Sequence, residues 1–384
     1  MALAFEPDEY EARKQAVLAE MRAQNLDGML LFAPESHYWL TGYDTFGYCF
    51  FQCLVLTRDG RFVLMTRMPD LRQARHTSII EDIRVWTDQG GADPTRLLKD
   101  ILFELDLLGA QIGVETDTHG LTAANGKLLD ERLQSFATIR DASDLVPTLR
   151  SVKSEAEIGY VRTAARLCDA AWEAGLAEIT VGADEGAILA AMQGAVLAGG
   201  GDYPGNGFII GSGRDALLCR YKSGRRTLSD PDQITLEFAG SYRHYHSAMM
   251  ATVPVGGATA RHREMFDAAA AALSGVEAAM RPGRTFGDVF DAHARVVDGA
   301  GLQPHRMNAC GYSLGARFAP SWMDPPMFYR GNTTEIVPNM VLFAHMILMD
   351  SDTETAMTLA RTYLTTDADP EPLSRHPVEL VEKF

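Results

Sequence analysis

Residues 232–256, DQITLEFAGSYRHYHSAMMATVPVG, constrain the fold more than any other stretch of this chain. Residues 234–238 and 248–255 are apolar and rich in strand-forming side chains, so they read as two β-strands joined by a tight turn. Tyr242, Arg243, His244, Tyr245 and His246 lie between them. Glu237 is set into the end of the first apolar run. Burying a lone charge is costly, so an acid there either meets a partner or stays protonated. The structural reading is a salt-bridged strand end; the functional one is a reactive carboxyl.

A chain of 384 residues is long enough for two domains with cores of their own. With 46% hydrophobic and 22% charged residues it reads as an ordinary globular protein. Its net charge of -16 argues against a general binder of nucleic acid or anionic membrane. The five cysteines, Cys49, Cys53, Cys168, Cys219 and Cys310, are odd in number and form no CxxC pair, as expected of a reduced protein. The first residues lack the apolar core of a leader, and no window approaches 18 uninterrupted apolar residues, so a cytoplasmic location is expected.

The first 145 residues alternate strand and helix, which implies an α/β domain with a mixed sheet covered by helices. Helices are expected at 7–25, 68–75, 94–108 and 121–134, and strands at 27–32, 112–115 and 138–140. Residues 53–57 and 61–66 form a hairpin about Asp59-Gly60. The aromatic, turn-rich segment 34–50 holds His37, Tyr38, Trp39, Tyr43, Phe46 and Tyr48, a set that fits core packing or a surface wall. The pattern SEAE, with Ser154 able to cap and Glu157 able to reach back, starts a long helix running to about residue 178. The domain boundary therefore falls at 148–151, dividing the chain into 1–150 and 151–384. In the second part, helices at 184–198, 261–280 and 285–301 are separated by strands at 208–211, 340–348 and 356–364, an α+β pattern. Residues 211–224 read as a polar loop.

These residues carry a family resemblance. The hairpin resembles the metal-site hairpin of the pita-bread superfamily, which includes methionine aminopeptidases, prolidases and creatinase. CGYSLG at 310–315 resembles its G-H-x-x-G motif and PNMVLFAH at 338–345 its P-G-M-V-x-x-x-E motif. YWLTGYD at 38–44 and VKSEAEIGYVRTAA at 152–165 resemble its N-terminal domain and linker-helix entry. The strings WLTGYD, GGDYP, EFAGSYRHYH and CGYSLG are most similar to metal-free ectoine hydrolases, with creatinase more distant. The resemblance implies a creatinase-like N-terminal domain, a pita-bread C-terminal domain and a homodimer in which a loop of the partner closes the site.

The departures from that pattern bear on the chemistry. The five metal-ligand positions of the two-metal peptidases fall at Glu237, Ala248, Tyr312, His345 and Ala360. Hard divalent ions require carboxylates, and one in five does not hold a dinuclear centre. The expectation is no catalytic metal, no cofactor and no prolidase-type activity. Arg220 stands where ectoine hydrolases and creatinase place a His, and Met250 where creatinase carries a Glu.

The first functional reading is a metal-independent hydrolase of a C–N bond in a small zwitterion, such as a cyclic amidine, amide or guanidino compound. Glu237 is its nucleophile or general base, and His246 and His345 are candidates to pass a proton to the departing nitrogen. Tyr312 would hydrogen-bond the developing tetrahedral centre and Arg220 would clamp a substrate carboxylate. Trp39, Tyr43, Tyr203 and Trp322 would form an aromatic wall for a delocalised cation. Against these stand ordinary roles: His246 and His345 as core histidines, Arg220 paired with Asp215, Trp322 as an interface anchor. A second reading is a catalytically silent binding protein on the same scaffold, and a third is a lyase.

Overall fold

The computed structural model describes residues 3–220 and 225–384, in two compact units, Met1–Arg150 and Ser151–Phe384. Of the expected polar loop at 211–224, the last four residues lie outside the described ones.

The first unit comprises α1 (Pro7–Ala23), β1 (Gly28–Leu31), α2 (Pro34–Thr41), β2 (Cys53–Thr57), β3 (Phe62–Arg67), α3 (Leu71–Thr77), β4 (Asp82–Trp86), α4 (Pro94–Glu104), β5 (Gln111–Val114), α5 (Ala123–Leu133), β6 (Thr138–Asp141) and α6 (Leu145–Arg150). The strands form one mixed sheet in the order β4-β3-β2-β1-β5-β6. Successive side chains point to opposite faces of a strand. Met29, Leu31, Leu54, Leu56 and Leu64 therefore enter one core, with Val17, Met21 and Trp39, while Leu30, Val55, Val63 and Met65 enter another, with Leu98, Ile101 and Leu133. Burial on both faces is why these strands read as continuous apolar runs.

Helix α2 and strand β4 are not apparent in the local sequence. The residue before α2, Ala33, has no side chain to cap it. The cap comes from Glu115, at the end of β5, whose carboxylate accepts the N–H groups of Phe32 and Ala33 at 2.9 Å each. Of these donors Ala33 is the N-cap, whose N–H a helix start leaves without an intrahelical partner, and Phe32 is the residue before it. Trp39 and Tyr43, expected in an aromatic wall, are packed in the first unit's core instead. Tyr43 gives its hydroxyl to Gln52 Oε1 (3.2 Å), and the Arg13 guanidinium lies 5.1 Å from the Trp39 ring centre.

The second unit comprises α7 (Glu155–Glu178), α8 (Glu185–Ala198), β7 (Ile209–Ser212), β8 (Asp232–Tyr242), β9 (Tyr245–Val255), α9 (Ala260–Ala279), α10 (Phe286–Gly299), β10 (Ala309–Ser313), β11 (Asp324–Tyr329), β12 (Val341–Asp350), β13 (Thr355–Leu364) and the short β14 (Glu371–Pro372). Its sheet runs β11-β10-β12-β13-β9-β8-β7, with β14 on β13, and all these pairs are antiparallel. Helices α7 and α8 pack together and α7 lies on β8 and β9; α9 and α10 pack together and α9 lies on β12 and β13. This is the pita-bread half of the α/β-then-α+β architecture that the sequence implies. No helix among the described residues is long and apolar enough to cross a membrane.

The long helix starts as the SEAE pattern predicts. Ser154 Oγ accepts the Glu157 N–H (3.3 Å) and Glu157 Oε2 accepts the Ser154 N–H (2.9 Å). The other oxygen of Glu157 accepts the Tyr245 hydroxyl at 2.6 Å, tying the helix start to the hairpin. The hairpin turn is Arg243-His244, both with positive φ (48° and 64°), as a two-residue turn between twisted strands requires. Neither is a glycine, so tertiary contacts hold them: Asp202 accepts the His244 N–H (3.2 Å) and the His244 ring stacks on Phe318 at 4.1 Å. On the helix side of β8, Phe238 stacks on Trp172 at 6.0 Å. Gly240 lets the strand approach α7 so closely that a Cβ there would run into the Ala164 carbonyl and the Cys168 amide. Neither backbone atom can turn aside, so Gly240→Ala is expected to cost about 3 kcal/mol in chemical denaturation. A conservative Trp172→Phe change, which keeps the stacked ring, should cost less than half of that.

Candidate active site

Phe238 and Gly240 face the helices, so Glu237 and Ala239 face the opposite side of the sheet. Side chains directly across a ladder share a face, which extends this side across the strands. Glu237 stands opposite Met250, Met250 opposite Ala360, and Ala360 opposite His345. Ala248 lies opposite Ala239, and Tyr312 lies opposite Phe343, two residues from His345. Glu237, Ala248, Tyr312, His345 and Ala360 thus share one face, and they line its floor.

Glu237 is buried, 8% exposed, with Tyr312 as its hydrogen-bond donor. The Tyr312 Oη to Glu237 Oε1 distance is 3.4 Å, and the Trp322 indole N–H donates to the same Tyr312 oxygen at 3.0 Å. Burial pushes the Glu237 carboxyl up to about 7; the charge of Arg220 and the Tyr312 hydroxyl pull the other way and only partly offset it. Arg220 is exposed, with Nη2 4.0 Å from Met323 Sδ. Cys219, beside it, was not singled out by the sequence. Burial and the Glu237 charge raise its thiol, which places it within the field of that carboxyl.

His345 is 8% exposed, its ring 5.7 Å from those of Tyr312 and Phe343. Its Nδ1 has no hydrogen-bond partner among the described residues. Burial holds its pKa down at about 3, so the ring is neutral near neutral pH. Buried ring nitrogens without a partner among the described residues also occur at His37 Nδ1 and His293 Nε2, so this feature by itself does not mark a ligand site.

His246 differs from what its position in the turn suggests. Its Nε2 accepts the Gly205 N–H at 2.9 Å, and its Nδ1 meets the Gly315 carbonyl at 3.3 Å. Both nitrogens are committed to backbone, and burial lowers the pKa to about 3. His246 therefore clamps two loops as a neutral ring, its one ring proton on Nδ1 and given to the Gly315 carbonyl. Trp322 is likewise corrected from wall to scaffold: it is 1% exposed, with its indole N–H on Tyr312 and its backbone N–H on Asn206 Oδ1 (3.2 Å). Tyr203 is 81% exposed, on the segment whose Gly205 is held by His246.

The threonines of this face also escaped the sequence reading. Thr235, Thr252 and Thr358 join their hydroxyls across three strands at 2.9 and 3.1 Å. Nearer the site, Thr362 Oγ1 accepts the Ala248 N–H (2.9 Å) and donates to its carbonyl (2.8 Å), bridging β9 and β13. The alternation Thr358-Ala360-Thr362 was the available signal.

The donor set does not suit a dinuclear metal centre. Ala248 and Ala360 offer no ligand atom, Tyr312 is engaged by Trp322 and Glu237, and only one carboxylate remains. Among the described residues, no three His, Cys, Asp or Glu side chains are grouped to hold a metal ion.

The raised carboxyl has a consequence for stability. In the unfolded chain a Glu ionises near 4.5, whereas burial holds the folded Glu237 up to about 7. Between those values only the unfolded state loses its proton, so folding stability falls as pH rises and reaches its full deficit above pH 7. Gln does not titrate. The stability of Glu237→Gln relative to wild type should therefore increase across that window by about 3 kcal/mol, read from denaturation curves at several pH values. A difference independent of pH would show that Glu237 titrates normally.

Comparison with known proteins agrees with this architecture. Residues 159–367 match the model of metallopeptidase family M24, and residues 13–152 match the creatinase/prolidase N-terminal domain. The chain is 26% identical over 403 residues to an ectoine hydrolase of Halomonas elongata, covering 100% of this chain and 99% of that one. It is 27% identical over 392 residues to an uncharacterized hydrolase/peptidase of Sinorhizobium fredii, covering 98% and 97% of the two chains. Among solved structures, a dipeptidase from Mycobacterium ulcerans superposes with a TM-score of 0.86 at 22% identity, covering 99% of this chain and 100% of that one. The chain belongs to metallopeptidase family M24, a family of hydrolases, and carries the creatinase/prolidase N-terminal domain ahead of its pita-bread domain.

Proposed function

We propose that this chain is a metal-independent hydrolase of a C–N bond in a small zwitterionic compound: an ectoine-like cyclic amidine, an amide or a guanidino compound. Glu237 acts as the base. The observation that carries this reading is a lone buried carboxyl, held near pH 7, on a floor where the other ligand positions of the fold are Ala248, Tyr312, His345 and Ala360. Likeness to an ectoine hydrolase over the whole chain supports the substrate class. The donor set disfavours the peptidase chemistry named for the structural relatives.

The chemistry follows from the groups present. Ionised Glu237 takes a proton from a water molecule as its oxygen bonds to the substrate carbon. The π pair displaced from that carbon moves onto its doubly bonded partner, the nitrogen of an amidine or guanidine or the oxygen of an amide. Protonated Glu237 then gives its proton to the departing nitrogen; the C–N pair leaves on that nitrogen, an oxygen lone pair closes the product C=O, and a hydroxyl proton still on that oxygen passes to the Glu237 carboxylate and on to the released amine. A carboxyl titrating near 7 suits both halves of the exchange. His345 cannot supply the proton, because its ring is neutral; its unpartnered nitrogen orients the substrate by a hydrogen bond. Arg220 faces the substrate carboxylate.

The test is turnover by EDTA-treated protein of ectoine, hydroxyectoine, creatine, hydantoins and X-Pro dipeptides, followed by mass spectrometry. Loss of a cyclic amidine, amide or guanidino compound is expected, unchanged by EDTA. Because the base acts ionised, the rate should fall as pH drops below about 7. Glu237→Gln should lower it by about 1,000-fold or more while leaving the fold intact. Cleavage of an X-Pro dipeptide that EDTA abolishes would overturn the reading. So would the absence of all turnover together with a thermal shift by one of these compounds, which would make the chain a binding protein.

A further inference from the structure

Trp322 is held more firmly than an aromatic wall requires, and what it touches gives it a role. Its indole N–H donates to Tyr312 Oη at 3.0 Å, and that oxygen stands 3.4 Å from Glu237 Oε1. Indole is a donor only, so it occupies a lone pair of the phenol oxygen and leaves the phenol proton for the carboxylate. The segment carrying Trp322 is fixed from several sides. Asn206 Oδ1 accepts its backbone N–H at 3.2 Å. Gly205 packs against the backbone of Ser321 and Trp322 so closely that a Cβ at 205 would lie 2.8 Å from each. Gly205 is in turn held by His246, whose other nitrogen meets Gly315 at 3.3 Å, three residues beyond Tyr312.

We propose that Trp322 is a positioning residue: clamped through Gly205, Asn206 and His246, its indole N–H aims the Tyr312 hydroxyl proton at Glu237 and so sets the proton affinity of that carboxyl. The inference rests on Glu237 being the acting carboxyl. Donation by the indole polarises the phenol O–H and strengthens its bond to the ionised carboxylate, as in any chain of hydrogen bonds. The other groups within reach of Glu237 are Arg220 and Cys219 on the preceding loop, and His345 stands across the floor beyond Met250 and Ala360. The side chains flanking Glu237 on the adjacent strands, Ile209 and Met250, carry no charge. The Trp–Tyr pair is therefore the neutral lever on this carboxyl, and Arg220 the charged one.

Two measurements test this without any need for turnover. The first isolates the carboxyl stretch of Glu237 by infrared difference between each background and its Glu237→Gln counterpart, followed through the titration. Tyr312→Phe should raise the midpoint by about one unit, the worth of a hydrogen bond to a charged group. Trp322→Phe should raise it by about a third of a unit, the cooperative share. An unchanged midpoint in Trp322→Phe would overturn the proposal, because a merely packing role would leave the titration where it was. The second keeps Trp322 in place: in protein labelled with 15N at the indoles, its N–H resonance should follow the Glu237 titration, and the dependence should disappear in Tyr312→Phe. An indole signal that does not titrate in wild type, or that still titrates in Tyr312→Phe, would equally overturn it. A failure of every compound to be hydrolysed would count against the reaction and leave both readouts unaffected, so the two ideas are judged separately.

Discussion

The close approach of α7 to β8 at Gly240 is the contact on which the second unit depends. It leaves no room for a side chain, and it fixes which face of β8 meets the helix. Because side chains alternate along a strand, that single choice sends Glu237 to the other face. Ladder pairing then carries the same face through Met250 and Ala360 to His345. A shift of one residue in β8 would exchange Glu237 for Phe238 and dissolve the site. The stack of Phe238 on Trp172 and the bond from Tyr245 to Glu157 hold that register from the helix side.

The side chains around Glu237 on this face set its electrostatics. In a two-metal site a nearby cation holds carboxylates ionised. Here the neighbours of Glu237 across the ladders are Ile209 and Met250, with Ala360 beyond. Desolvation then dominates, and the carboxyl rises to about 7 in spite of Arg220 and Tyr312. With uncharged side chains flanking it, this acid lies in the range in which a carboxyl exchanges protons at neutral pH. His345, on the same face, is driven the opposite way by the same desolvation, to about 3.

Glu115 shows that the elevated value alone does not mark a site. It is also pushed up to about 7 by burial, yet it accepts the N–H groups of Phe32 and Ala33 and the Ser36 hydroxyl. Those donors cap a helix start and leave the carboxylate fully occupied. Glu237 has the Tyr312 hydroxyl as its donor, and across the same face, beyond Met250 and Ala360, His345 Nδ1 has no partner among the described residues. The two carboxyls differ in how much of their hydrogen-bonding capacity the protein's own donors take up.

Much of the architecture was legible because its signals are local. Hydrophobic alternation marked the hairpin, the pattern SEAE marked the start of α7, and motif order pointed to the two-domain fold. Which side chains stand where the resemblance implies metal ligands, Ala248, Tyr312, His345 and Ala360 beside Glu237, could also be read, once the motifs were matched, from residue identity. Helix α2 was not legible, because its cap is supplied from 82 residues away. The roles of His246 and Trp322 were hidden for the same reason: their partners, Gly205, Gly315, Asn206 and Tyr312, are brought to them only by folding. By itself the sequence determined which chemical groups the floor can offer. Only the tertiary structure decided which of them are already spent on the protein's own backbone and which remain for a ligand, because hydrogen-bond capacity is shared out among neighbours in space.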